Sequence, residues 1–172
     1  AAPFGNARES RAARMRRAME LLREWCGDKL ILGCGVPVMP AFGVVDYCRI
    51  SCDVGMDWNN NFIVRSANRE TVSTRRAVLN SVFRRQLNGR AYLSDPDVFF
   101  LREDNIKLTA EEKYTLATVN SLFGGLLLCS DNMGGYTPEA RKAYEQLLRN
   151  RDAHNIRVMN DGTGLSVSYD LD

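Results

Sequence analysis

The chain has 172 residues, 45% of them hydrophobic and 26% charged, with a net charge of +2. This is the composition of one soluble globular domain, not of a disordered chain. So small a net charge excludes a general attraction to nucleic acid, and apolar runs such as "LFGGLLLC" are too short to span a bilayer.

No basic-then-apolar start marks a secretory signal. The five cysteines, Cys26, Cys34, Cys48, Cys52 and Cys129, are odd in number, so a disulfide framework is not expected. Cys48 and Cys52 lie four apart, but no second Cys or His pair completes a metal set. The single histidine, His154, follows a polar stretch and reads as a surface residue. A reduced, cytoplasmic compartment is the expectation, with no cofactor, no metal and no membrane partner.

In chain order, residues 7–26 read as a helix. Ala12, Met15, Met19, Leu22 and Cys26 recur at helical steps, and Gly27 ends the run. "RESRAARMRRAMELLR" holds six arginines. Without interleaved aromatics they read as a solvated helix face before a phosphate-binding patch. "KLILGCGVPV" and "VVDYCRIS" read as buried strands joined by the loop "PAFG". "NNNF" is a polar loop. A helix follows over 72–88, with Val78, Val82 and Leu87 on one side and Gly89 as the stop.

"DVFFLR" is a third strand, preceded by the turn Asp95-Pro96-Asp97. Thr109 and Glu112 have capping-box spacing and open a helix to about 122. "GLLLCSD" is a fourth strand, and Thr137-Pro138 starts a last helix. Apolar strands separated mainly by amphipathic helices indicate an α/β fold with a parallel sheet. After residue 150, "IRVMNDGTGLSVSYDLD" alternates around a Gly-rich turn, the signature of a hairpin that opens an all-β segment.

Polar groups gather where strands end: Cys34 after the first, Asp53 after the second, Asp131 and Asn132 after the fourth. In barrels and in open α/β sheets, sites collect on that side. An aspartate there is either a turn cap or a catalytic acid. Arg49 should face the same way as Asp53 if the strand continues so far. Arginine beside a carboxylate opposes a role as acid, unless a sugar hydroxyl or a second carboxylate offsets it. Trp58 is either a core residue under a loop or an aromatic wall for a sugar ring. Cys34 alone reads as a packing residue. Gly33-Cys34-Gly35 lacks the lysine and spacing of a phosphate loop.

Three segments together, "GDKLILGCGVPVMPAFGVVDYCRISCDVGMDW", "RRQLNGRAYLSDPDVFFLR" and "LLLCSDN", resemble glycoside hydrolase family 36, the melibiase or α-galactosidase family. The resemblance implies half of a (β/α)8 TIM barrel, strands five to eight, over residues 1–150. It also implies the start of a C-terminal β-domain at 151–172. By position it makes Asp53 the general acid/base, and Arg49 and Cys34 residues that bind the sugar. Trp58 becomes a pocket aromatic, while Asp97 and Asp131 receive no role. The implied activity is retaining hydrolysis of α-galactosides, with the carbohydrate as partner.

The family's nucleophile lies in a Lys-x-Asp motif, and no Lys-x-Asp occurs in these residues. "AAPFGNARES" resembles the stretch that follows it. The chain is therefore expected to lack turnover alone, and to need the N-terminal barrel half or to self-associate through open edges. A non-catalytic carbohydrate-binding or interaction half-barrel is the alternative.

Overall fold

A computed structural model describes residues 9–59 and 72–172. The "NNNF" loop beyond Asn59, "AAPFGNAR" and the first residues expected of the N-terminal helix lie outside them.

Helix α1 spans Arg11–Cys26. The Ser10 hydroxyl accepts from the Ala13 amide at its start, and Gly27, at φ 58°, donates to Arg23 at its end. Met19 is its one buried residue. The arginines are not simply a solvated face. Arg16 donates to the carbonyls of Pro40 and Phe42. Arg23 donates to the Val44 carbonyl at 2.8 Å and to Asp46 at 2.5 Å. The 40–46 loop has carbonyls that no ladder satisfies, and guanidinium forks meet that need where leucines could not. Arg23 and the Ile31 amide together hold the Asp46 carboxyl below its ordinary range.

Strands β1 (Leu32–Gly33), β2 (Tyr47–Arg49) and β3 (Leu93–Asp95) pair in parallel in that order. Strand β4 (Val98–Phe99) pairs in parallel with β5 (Leu128–Cys129). Residues 91–94 received no element in the sequence reading and Asp95 was placed in a turn, yet Leu93–Asp95 is a strand. Its Ser94 and Asp95 are fully buried, so no apolar run advertises it. Asp95 closes β3, and Asp97 bends the chain into β4 at φ 75°. The Gly125 and Leu126 amides donate to the Ser94 carbonyl, which carries the sheet on from β3 towards β5. A side chain at Gly125 would stand 2.5 Å from Leu93, so this crossing requires glycine.

Helices α2 (Thr74–Phe83), α3 (Ala110–Phe123) and α4 (Pro138–Arg149) follow the strands. Ser73 caps α2, and Thr109 and Glu112 form both bonds of the capping box on α3. Thr137 caps α4 with Pro138 at its first turn. Val78, Val82, Leu116, Ala117, Phe123 and Leu147 from these helices pack with Phe99 and Phe100 in the larger core. A second core joins Met19 and Ile31 to Cys48, Ile50 and Tyr92.

Strands β6 (His154–Asn160) and β7 (Leu165–Asp170) form the expected antiparallel hairpin, with Gly162 at φ 86° in its turn. Ile156, Val158, Leu165 and Val167 lean on the larger core. No helix among the described residues is long and apolar enough to cross a membrane.

Candidate active site

The site is organised around Arg49. Parallel register sets Arg49 opposite Asp95, so the two side chains share one face of the sheet while Cys48 and Ile50 enter the second core. Arg49 Nε donates to Asp95 Oδ2 at 2.8 Å. Its Nη1 donates to Asp53 Oδ1 at 3.0 Å, and its Nη2 lies 3.0 Å from Asp97 Oδ1.

One guanidinium therefore meets three carboxyls, and exposure separates them. The side chain of Asp95 is 0% exposed, Asp97 9% and Asp53 68%. Burial works against the charge on Arg49, but the hydrogen bond and charge of Asp95, with Asp97, hold its pKa above the ordinary value. Only Asp53 is open to a ligand.

The Arg49–Asp53 contact was expected from strand alternation, but it arises differently. Strand β2 ends at Arg49, and Asp53 returns through a loop. That loop is fixed at several points. The Asp53 carbonyl accepts from the Ser73 amide, the Val54 amide donates to Asp97, and Gly55 exchanges bonds with the Thr74 hydroxyl. The strand–loop–helix junction thus presents the one exposed carboxylate of the Arg49 cluster.

Cys34 follows β1 directly and is exposed. It is close enough to influence the charge states of Arg49 and Cys48. Burial, with Asp95 and Cys34 nearby, pushes the Cys48 thiol up to about 11. A thiol reagent at pH 8 should therefore label Cys34 in the native chain and leave Cys48 untouched until unfolding. Mass spectrometry of a labelling time course checks this, and equal rates would contradict it.

Trp58 packs partly against the larger core, and its carbonyl accepts from Arg75 at 2.9 Å. A cavity of about 290 Å³ beside Arg49 is lined by Gly35, Val36, Ser51, Cys52, Asn80 and Arg84. Neither Asp53 nor Trp58 lines it.

Asp131 stands at the end of the fourth strand position as expected, but inside the protein. Its Oδ2 accepts from the amides of Leu101 and Arg102 and from the Tyr136 hydroxyl. It ties the end of β4 to the end of β5. Burial, with Cys129 and Asp131 as hydrogen-bond partners, drives the Tyr136 pKa upward. Asn132 accepts from Gly134 in a short turn.

Two residues of the Arg49 cluster had no role in the sequence reading, Asp95 and Asp97. Their two-residue spacing around Pro96 was the available signal. Its meaning depends on register with a strand 46 residues away.

No family model matches the chain. Solved structures do. The α-galactosidase of Thermus thermophilus, in complex with p-nitrophenyl α-D-galactopyranoside, superposes with a TM-score of 0.71 at 28% identity. The match covers 91% of this chain and 32% of that one. The same enzyme in complex with stachyose gives 0.69 at 31% identity, over 80% of this chain and 30% of that one. α-Galactosidase I of Mortierella vinacea shares the fold, with a TM-score of 0.67 at 16% identity, over 93% and 44%. The chain thus spans about a third of the length of the Thermus enzyme. The resemblance to glycoside hydrolase family 36 extends from sequence to structure: the chain is a melibiase-like α/β segment whose structural neighbours are α-galactosidases.

Proposed function

We propose that this chain supplies the acid/base side of a retaining α-galactoside hydrolase, with its four parallel strand positions as strands five to eight of a (β/α)8 barrel. The observation that carries the reading is the Asp53–Arg49 pair. One exposed carboxylate is held 3.0 Å from a guanidinium whose other contacts are buried acids. The α-galactosidase neighbours, one in complex with an aryl α-galactoside, support α-galactosides as the substrate class.

Retaining hydrolysis needs two carboxyl groups about 5–5.5 Å apart. Asp53 protonates the departing glycosidic oxygen while a second carboxylate attacks the anomeric carbon. Asp53 then removes a proton from water as the glycosyl–enzyme bond breaks. These 172 residues contain no Lys-x-Asp, so the attacking carboxylate must come from elsewhere. Arg49 offers its Nη1 edge to the sugar near its 2-hydroxyl, and the exposed Cys34 after β1 is a second residue for the sugar. Trp58, which packs partly against the larger core, is the candidate aromatic of the family pattern, without a contact to this cluster among the described residues. Residues 151–172 begin a C-terminal β-domain, and the free cysteines suit a reducing, cytoplasmic setting.

The lack of a Lys-x-Asp in these residues also favours one other reading, a half-barrel that binds carbohydrate without chemistry. Turnover of an aryl α-galactoside separates the two. The chain alone should show none, and adding the upstream, nucleophile-bearing half should restore it. Galactose binding by calorimetry without turnover, even with that half supplied, would favour the binding module.

A further inference from the structure

We propose that Asp97 is a positioning residue that sets Asp53 against Arg49. The proposal rests on the acid/base reading of Asp53. One buried carboxylate holds both sides of the contact. Asp97 Oδ1 lies 3.0 Å from Arg49 Nη2, and its Oδ2 accepts from the Val54 amide at 2.7 Å. Val54 is the residue after Asp53. A shift of the Asp97 side chain therefore moves the guanidinium and the Asp53 loop together.

Asp97 is itself fixed from several directions. Its φ of 75° lies in the left-handed region, which non-glycine residues seldom occupy, Asp and Asn least unwillingly. Its amide donates to Asp95 Oδ1 at 2.9 Å, and its carbonyl accepts from the buried Asn120 amide at 3.0 Å. Asp95 meanwhile occupies Arg49 Nε. With Nε and Nη2 taken, Nη1 is the edge left to face Asp53. Asp97 is too buried to reach a ligand, so it acts through Arg49 and the loop.

Asp97→Asn tests this, because asparagine tolerates the same backbone and removes one charge and one acceptor. In the 15N-labelled chain, wild type should show hindered rotation of the Arg49 guanidinium, with distinct Nη signals. Asp97→Asn should average those signals and speed Val54 amide exchange about tenfold or more, in keeping with loss of a hydrogen bond to a charged group. Unchanged Arg49 signals and Val54 exchange would overturn the proposal.

With the upstream half supplied, Asp97→Asn should lower kcat on an unactivated α-galactoside by about 10²-fold, with KM changed little, as for a group displaced by about 1 Å. A loss confined to KM, or to the fraction of folded protein, would overturn the proposal. Asp97→Gly, which also accepts positive φ and removes the whole side chain, should show both effects at least as strongly, and wild-type Arg49 signals in it would likewise overturn the proposal. An Asp53→Ala protein that keeps full activity would defeat the acid/base reading instead, whatever the Arg49 signals show.

Discussion

Arg49→Ala should destabilise the chain by about 3–5 kcal/mol, the cost of leaving buried charge without its partner. Asp95 is fully buried and Asp97 nearly so, and Arg49 is the cation to which both are paired. Removing it strands two carboxylates where water does not compensate them. Arg49→Lys should recover only part of the loss, because an ammonium cannot address three carboxyls through a planar fork. Urea unfolding followed by circular dichroism checks this, as a lower midpoint at unchanged slope. A loss below about 1 kcal/mol, the range of an exposed pair such as Arg16 with Glu20, would contradict the arrangement.

Asp53→Ala should do the opposite. The Asp53 side chain is 68% exposed, so stability should change little. Turnover of unactivated α-galactosides, with the upstream half supplied, should fall by about 10²–10⁴-fold, the usual contribution of a positioned acid/base. The two substitutions fall on partners 3.0 Å apart, yet one should report on folding and the other on chemistry. If Asp53→Ala destabilised the chain as strongly as Arg49→Ala, the carboxylate would be a loop cap and the site would have to be sought elsewhere.

Much of this was legible in the residues. Helix starts follow local rules, and Thr109–Glu112 and Thr137–Pro138 appear as read. The hairpin after 150 follows from alternation around glycine. What escaped depends on distant partners. β3 went unread because Ser94 and Asp95, polar by type, are buried by a sheet that a local window does not see. The arginines of α1 looked like a solvated face because the loop carbonyls that Arg16 and Arg23 reach, of Pro40, Phe42 and Val44, lie 21 to 26 residues away. The Arg49–Asp53 spacing was visible in the chain, whereas the hold of Asp95 and Asp97 on Arg49 is a fact of register.

The measurement that bears most directly on Asp53 as proton donor is a leaving-group series. Wild type and Asp53→Ala, each with the upstream half supplied, are compared on α-galactosides whose departing alcohols range from strongly to weakly acidic. An alcohol that leaves readily needs little protonation, and a poor one needs it most. The loss in kcat/KM should therefore be small for p-nitrophenol and grow towards about 10⁴-fold for a sugar alcohol. A loss that is the same across the series, or no loss at all, would contradict the assignment of Asp53 as the acid.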